Sequence, residues 1–161
     1  GVEWNHIIAA ALEVRERLAA AGLASFVKTS GGKGLHVVAP LKPRAEWDQV
    51  KAFAKGIAEA MAADSPNAYV ATITKSKRKG KTLIDYLRNG RGATAVAPYS
   101  TRARPGAAVS MPLDWSELGA AIGPDYFTVA NAISRIGNAE DPWEDFWKAA
   151  RPLEATKRKV R

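Results

Sequence analysis

The spacing of apolar residues predicts two long amphipathic helices in the first part of the chain. From Trp4 to Ala21, apolar residues recur at intervals of three and four, and Gly22 is a typical helix stop. The same spacing from Arg44 to Ala63 predicts the second helix. Further helical segments are predicted nearer the carboxyl end, over 128–136 and after the N-cap-type residues Asp114 and Asp141.

Short runs rich in β-branched and aromatic residues lie between these helices and predict strands. The predicted strands cover 25–29, 35–41, 69–74 and 82–87, with weaker candidates at 94–99 and 109–111. The first two flank a glycine-rich segment, so we expect a strand, a tight turn and a second strand. The connection 75–81 is basic and contains glycine, which predicts a hairpin between the third and fourth strands. Helices flanking several strands indicate an α+β sheet domain.

Length and composition are those of an ordinary globular domain. The 161 residues fit one domain, and the proportions of apolar and charged residues are typical. No stretch of about 18 apolar residues occurs, so no membrane-spanning helix is predicted. Cysteine is absent, which excludes disulfides, thiolate metal sites and a cysteine nucleophile. This absence is compatible with a reducing compartment such as the cytoplasm.

The net charge of +8 is concentrated in one part of the sequence. Nine basic residues lie between Lys75 and Arg104, and Asp85 is the only acid among them. A second basic cluster, 157–161, ends the chain. Such surfaces bind polyanions, because neutralising phosphates releases counterions. Charge alone is equally compatible with a solvated basic face, so it suggests a class of partner and not a reaction.

The segment Ser30–His36 is the most informative local pattern. Its glycines let backbone amides approach a ligand closely, and Lys33 adds a positive charge suited to a phosphate. His36 can donate a hydrogen bond to a phosphate oxygen from the following strand. The segment does not match the Walker A pattern, and no helix is predicted after it. An ordinary glycine-rich hairpin with a hydrogen-bonded histidine explains the residues equally well.

Asp85 is predicted at the middle of an apolar strand. Charged residues seldom occur between residues such as Ile84 and Tyr86 unless they are paired or hold a metal ion. Hard cations such as Mg²⁺ and Mn²⁺ prefer carboxylates combined with substrate phosphates. One carboxylate rarely suffices for such a site, and an ion pair with a neighbouring arginine is the alternative.

Several sequence blocks occur in a characteristic order along the chain. They are Lys28–His36, Lys75–Gly80, Ile84–Thr94, Ala97–Ser100, Arg102–Gly106 and Asp141–Trp143. In this combination the chain resembles the polymerase domain of bacterial ATP-dependent DNA ligase D, of the archaeo-eukaryotic primase superfamily. The resemblance implies a primase-polymerase-like mixed or antiparallel sheet flanked by helices, incomplete at the amino terminus. It implies that 1–152 form the carboxy-terminal portion of that domain and 153–161 a basic tail or linker.

The resemblance also implies a role for each matching position. Asp85 resembles a catalytic metal carboxylate near the primer 3′-hydroxyl, and His36 is implied as a second catalytic residue. The implied contacts to the incoming triphosphate are Ser30, Lys33, His36 and Arg102. The implied contacts to nucleic acid are Lys77, Arg78 and Arg88.

The implied activity is nucleotide addition to DNA ends during bacterial non-homologous end joining. The expected cofactors are two divalent ions, Mn²⁺ or Mg²⁺, with nucleoside triphosphates as substrates. The expected partners are DNA ends or primer-template DNA, ligase and nuclease modules and the end-binding Ku protein, in a nucleoid-associated, cytoplasmic setting.

One family feature is missing from the sequence. The family carries a first metal motif, Asp-x-Asp, on a strand just before the helix that begins here near Val2. No Asp-x-Asp occurs in this chain, so we expect the chain alone to be inactive. A non-catalytic nucleic-acid-binding module is the main alternative, and a protein-interaction remnant with a basic docking tail is another. If Asp85 and His36 lay on opposite sides of the sheet, the polymerase hypothesis would be wrong.

Overall fold

Residues 1–154 are described by the computed structural model of the chain. Within this range the α-helices are α1 (Trp4–Ala20), α2 (Trp47–Asp64) and α3 (Val129–Asn138). The strands are β1 (Phe26–Thr29), β2 (Leu35–Val38), β3 (Leu41–Lys42), β4 (Tyr69–Val70), β5 (Thr82–Leu83), β6 (Pro112–Leu113) and β7 (Arg151–Pro152). Two single-turn 3₁₀ helices cover Lys75–Lys77 and Trp115–Glu117. None of the helices in 1–154 is long and apolar enough to cross a membrane.

A three-stranded antiparallel sheet forms the centre of the fold. Its order is β2-β1-β6, so β1 pairs on both sides. Lys28 of β1 faces His36 of β2 in the register, and Val27 faces Leu113 of β6. A buried hydrophobic cluster includes residues of β1 and β6 and consists of Val27, Val109, Met111, Leu113, Phe127 and Ala132. The helices and this sheet confirm the predicted α+β class.

The predicted helices form, with ends set by their capping residues. After α1, Gly22 adopts φ +78°, and Leu23 N–H donates to the Leu18 carbonyl at 3.0 Å. This bond is the six-residue closure that a left-handed glycine permits. Helix α2 begins after the predicted start at Arg44 because Glu46 is its extended N-cap and exchanges backbone and side-chain bonds with Gln49.

The predicted hairpin over 69–87 is wrong. β4 and β5 are parallel, pairing Tyr69 with Thr82 and Val70 with Leu83, and each contains only two residues. A parallel pair needs a crossover connection and cannot be closed by a tight turn. Asp85 therefore lies beyond the end of β5 and not inside a strand.

Two predictions in the second half are also wrong. Residues 94–99 form no strand, and only the bridge between Thr101 and Val109 forms before β6 begins at Pro112. The segment after Asp141 starts with the expected cap, since Trp143 N–H donates to Asp141 Oδ1 at 2.9 Å, but continues as turns.

Aromatic packing accounts for the irregular backbone after Asp141. Trp143 stacks on Phe146 at 5.2 Å between ring centroids, and both rings contact Phe26 of β1. Trp143 Nε1 donates to the Val27 carbonyl at 3.1 Å, which anchors the segment to the sheet. The chain then pairs β7 with β3. Of the predicted tail 153–161, residues 155–161 lie outside the described residues.

Candidate functional site

The glycine-rich turn between β1 and β2 is held together by Ser30. Ser30 N–H donates to the Gly34 carbonyl at 3.0 Å, and Ser30 Oγ accepts from the N–H groups of Gly32 and Gly34 at 3.1 and 3.3 Å. Ser30 is 7% exposed. Because a hydroxyl has one proton and two acceptor positions, the Ser30 hydroxyl retains its proton for a further acceptor. The turn is therefore preorganised and presents a donor.

Arg102 lies across this turn at its most crowded point. Its Nη1 donates to the Ser30 carbonyl at 3.0 Å, and its backbone N–H donates to the Ala108 carbonyl at 3.0 Å. Gly31 has φ +69°, and a Cβ added there would lie 2.6 Å from Arg102 Cγ and 2.8 Å from the Ala108 oxygen. Only glycine leaves room for Arg102 beside the turn.

Several charged groups of the site affect the pKa of His36. It is half-buried on β2, and burial is the largest of the effects that lower its pKa to about 4. The positive charges of Lys28, Arg102 and Arg88 lower the pKa further, and the negative charge of Asp85 opposes them. His36 is therefore neutral near pH 7. Three residues predicted for the site, Arg102, Arg88 and Asp85, therefore contribute to the electrostatic environment of the His36 ring.

The lowered pKa of His36 predicts an acid-dependent loss of stability. Between pH 6.5 and about 4 the unfolded chain protonates this imidazole while the folded chain does not, so stability falls as the pH falls. Urea unfolding of the wild type and of His36→Gln across this range should show a difference in pH dependence of about 1–3 kcal/mol. His6→Gln, at an exposed position on α1, is the control. Parallel pH curves for the wild type and His36→Gln would contradict the prediction.

Asp85 is exposed and lies in a local turn. Its Oδ1 accepts the Leu87 N–H at 2.9 Å. Among residues 1–154 it forms no ion pair, so the predicted alternative of an arginine pair is not found there. Arg88 instead donates from Nη1 to the Thr94 carbonyl at 2.7 Å. Oδ2 of Asp85 has no hydrogen-bond partner in the described part of the chain.

The residues present fit one ligand of a divalent cation and not a complete site. No group of three or more His, Cys, Asp or Glu residues that could hold a metal ion occurs in the described range 1–154. Asp85 offers a hard oxygen ligand suited to Mg²⁺ or Mn²⁺. A complete site for such an ion would need further carboxylates beside Asp85.

The remaining predicted residues are exposed cations. Lys33 projects from the turn, and Lys77 and Arg78 lie at the 3₁₀ helix between β4 and β5. Within 1–154 the side chains of these three residues form no ion pair or hydrogen bond. Lys77 and Arg78 are thus placed by the 3₁₀ helix, and no hydrogen bond or ion pair within 1–154 links their side chains to the turn.

Sequence reasoning assigned no site role to Lys28, Ser110 or Arg104. Lys28 and Ser110 are buried beside the turn, and Lys28 Nζ donates to Ser110 Oγ at 2.7 Å. Arg104 Nη1 lies 3.2 Å from the position of a Cβ on Gly32. The sequence offered a lysine in the short strand leading into the turn and the place of Arg104 in the basic stretch 75–104, whereas the role of Ser110 depends on a long-range approach.

Comparisons with known proteins give the family of the chain. The family model described as "LigD, primase-polymerase domain" matches residues 1–143. The chain belongs to this family. This chain is 37% identical over 158 residues to the multifunctional non-homologous end joining protein LigD of Pseudomonas aeruginosa, covering 97% of this chain and 19% of that protein. It is 32% identical over 142 residues to the bifunctional LigD of Bacillus subtilis, covering 88% and 23% respectively.

A solved structure supports the fold assignment. The polymerase domain of Mycobacterium tuberculosis ligase D, solved in complex with DNA, superposes with a TM-score of 0.83 at 33% identity. The match covers 93% of this chain and 52% of that one. This chain thus spans about a fifth of the length of the curated relatives it matches and about half of the solved domain. Fold and family are confirmed, while the roles of the individual site residues stay predictions.

Proposed function

We propose that this chain is part of a template-directed nucleotidyltransferase that adds nucleotides to DNA ends in bacterial non-homologous end joining. The observation that carries the proposal is the meeting of Ser30, His36 and Arg102 around one glycine-rich turn. The family and the DNA-bound relative give the class of reaction. DNA polymerases generally join a primer 3′-hydroxyl to the α-phosphorus of a nucleoside triphosphate, with divalent cations present.

The turn is suited to the triphosphate of the incoming nucleotide. Ser30 supplies a hydroxyl donor, Arg102 and Lys33 supply positive charge, and neutral His36 supplies a ring N–H whose desolvation costs less than that of a charged ring. A polyanion bound there would raise the pKa of His36, because opposite charge favours the protonated ring. Binding would then be accompanied by proton uptake at acidic pH.

Asp85 is the proposed metal ligand and catalytic carboxylate. In the complete polymerase domain it would share two ions, Mn²⁺ or Mg²⁺, with carboxylates that are not among the residues described here. The ions would supply positive charge to the transferring phosphate. We therefore expect no nucleotide transfer from the 161-residue chain alone.

The basic field is the proposed nucleic-acid surface. Lys77, Arg78 and Arg88 would contact the primer or the DNA end through phosphates, which set affinity more than sequence preference. Ligase and nuclease modules and the end-binding Ku protein are the proposed partners of the full-length protein. The proposed setting is the bacterial cytoplasm at the nucleoid, where the DNA ends are.

The experiment measures the affinity of the chain for a nucleoside triphosphate by isothermal titration calorimetry in low salt. Lys33→Ala should weaken binding by about 5- to 20-fold, because a charged hydrogen bond to phosphate is worth about 1–2 kcal/mol. Lys42→Ala, at an exposed position on β3, removes the same charge and is the control.

Two results would contradict the proposal. One is equal affinity for Lys33→Ala and the control. The other is binding of DNA with no binding of triphosphate, which would favour the non-catalytic nucleic-acid-binding module.

A further inference from the structure

A buried ammonium group lies beneath the proposed triphosphate site. Lys28 is 4% exposed, and its Nζ donates to the Val96 carbonyl at 2.8 Å and to Ser110 Oγ at 2.7 Å. No carboxylate pairs with it among residues 1–154. Burying a cation without a counter-ion is costly, and hydrophobic residues of similar volume are often more stabilising at such positions. Burial of Lys28 without a counter-ion therefore points to a role other than stabilising the fold.

The hydrogen bonds of Lys28 form a chain with a fixed direction. An ammonium can only donate, so Ser110 Oγ accepts from Lys28 and uses its single proton to donate to the Thr29 carbonyl at 2.7 Å. Thr29 Oγ1 accepts the Met111 N–H at 2.8 Å. Through these bonds β1 holds the segment that follows Val96 from both ends.

The segment 96–110 carries Arg102 and has a strained backbone. Tyr99 adopts φ +67°, a left-handed conformation that costs about 1–2 kcal/mol in a residue with a side chain. It is stabilised by a bond from Tyr99 N–H to the Ser110 carbonyl at 2.6 Å. Such a conformation persists only where the surrounding contacts impose it. Val96 and Ser110, which both accept from Lys28, bracket this residue and Arg102.

We propose that Lys28 is a positioning residue: its ammonium fastens segment 96–110 to β1 and so holds Arg102 beside the Ser30 turn. The proposal rests on the proposed function, because Arg102 matters only if the turn binds a triphosphate. The Lys28 ammonium donates to Ser110 and to the Val96 carbonyl, so it would act on bound triphosphate through the position of the Arg102 guanidinium.

The charges around Lys28 predict how the arrangement responds to pH. Burial, followed by the positive charge of Arg102, lowers the pKa of Lys28 to about 8. His36 faces it from β2 and is already neutral in this range, and Ser110 and Val96 present only neutral oxygens. A bound polyanion favours the charged ammonium. Triphosphate affinity should therefore fall as the pH rises from 7 to 9.5.

The test compares wild type, Lys28→Met and Ser110→Ala in the full 161-residue chain. Amide hydrogen exchange at pH 7 measures how firmly segment 96–110 is held in its folded position. Calorimetry at pH 7 and pH 9.5 measures the affinity of the proposed triphosphate site for ATP without metal. Lys28→Met should keep or raise the melting temperature, because an unpaired buried charge is removed. Exchange of the Arg102 and Ser110 amides should nevertheless become about tenfold faster, from the loss of charged hydrogen bonds.

In Lys28→Met, ATP affinity should fall by about tenfold and lose the part of its pH dependence between 7 and 9.5. Ser110→Ala should also accelerate exchange while keeping the pH dependence. Lys42→Met is the control for the loss of a lysine. Unchanged exchange in segment 96–110 of Lys28→Met, or an affinity loss that merely follows a lowered melting temperature, would overturn the positioning role. If Lys28→Met showed faster exchange but the wild type bound no ATP, the structural role of Lys28 in holding segment 96–110 would stand and the proposed function would be overturned.

Discussion

Replacing Gly31 with alanine is expected to cause the largest loss of stability of any single substitution in the turn. Its φ of +69° strains a residue with a Cβ, and that Cβ would lie 2.8 Å from the Ala108 oxygen, which is backbone and cannot rotate away. The backbone strain costs about 1–2 kcal/mol and the overpacking about 1–3 kcal/mol. Together they predict a loss of about 2–5 kcal/mol in the free energy of unfolding.

Gly34→Ala is the matched control, because Gly34 belongs to the same turn and a Cβ there meets nothing within 4 Å. Its expected effect is below about 1 kcal/mol, from propensity alone. Urea unfolding followed by tryptophan fluorescence measures both variants. Similar stabilities for the two variants would mean that the close approach between Gly31 and the Arg102 segment is not maintained in solution.

The loss at Gly31 should extend to ligand binding. The Cβ also meets Arg102 Cγ at 2.6 Å, so any relaxation displaces the guanidinium from the Ser30 carbonyl. Stability and triphosphate affinity are therefore coupled at this position. The glycine was recognisable in the sequence as part of a motif, but the reason for it lies about 70 positions away, at Arg102 and Ala108.

Local sequence patterns correctly predicted the features that depend on neighbouring residues, namely helix ends and the turn between β1 and β2. Helix α1 ends where Gly22 allows it, and the turn forms between β1 and β2, because capping and turn geometry depend on adjacent residues. The apolar run around Asp85 was misleading, since apolar residues in a short run do not distinguish a strand from a packed loop. Only two residues of that run, in β5, find a strand partner, Tyr69–Val70.

The candidate site was predicted in its parts and not in its connections. Ser30, His36 and Asp85 could be selected from residue type and from the resemblance. The link from Lys28 through Ser110 to the Arg102 segment spans 82 positions between its first two members, and no local pattern encodes such a contact. Contacts between residues far apart in the sequence depend on how the whole chain packs. The pairing of the strands and the buried polar contacts could therefore be seen only in the structure.

Converting Asp85 to asparagine is expected to abolish nucleotide transfer in the complete polymerase domain while leaving the fold intact. The asparagine carbonyl can still accept the Leu87 N–H, so the local turn survives and only the charge is lost. In the proposed role, Asp85 would help to hold ions whose positive charge stabilises the transferring phosphate by several kcal/mol, so the rate should fall at least about a hundredfold. Because the residue is exposed, the melting temperature should change by no more than about 2 °C.

The measurement is Mn²⁺-dependent ribonucleotide addition to a primer by the domain extended upstream of Gly1, with the 161-residue chain assayed alongside. Asp145→Asn is the control, because Asp145 is an exposed acid whose ion pair with Lys148 is on the surface. Full activity in Asp85→Asn would remove Asp85 from the metal site. Activity in the 161-residue chain would mean that its own acids complete the site, although no group of three or more possible metal ligands occurs within 1–154. The Asp85→Asn assay thus tests whether Asp85 is a metal ligand, and the assay of the 161-residue chain tests whether this chain alone contains all the carboxylates of the site.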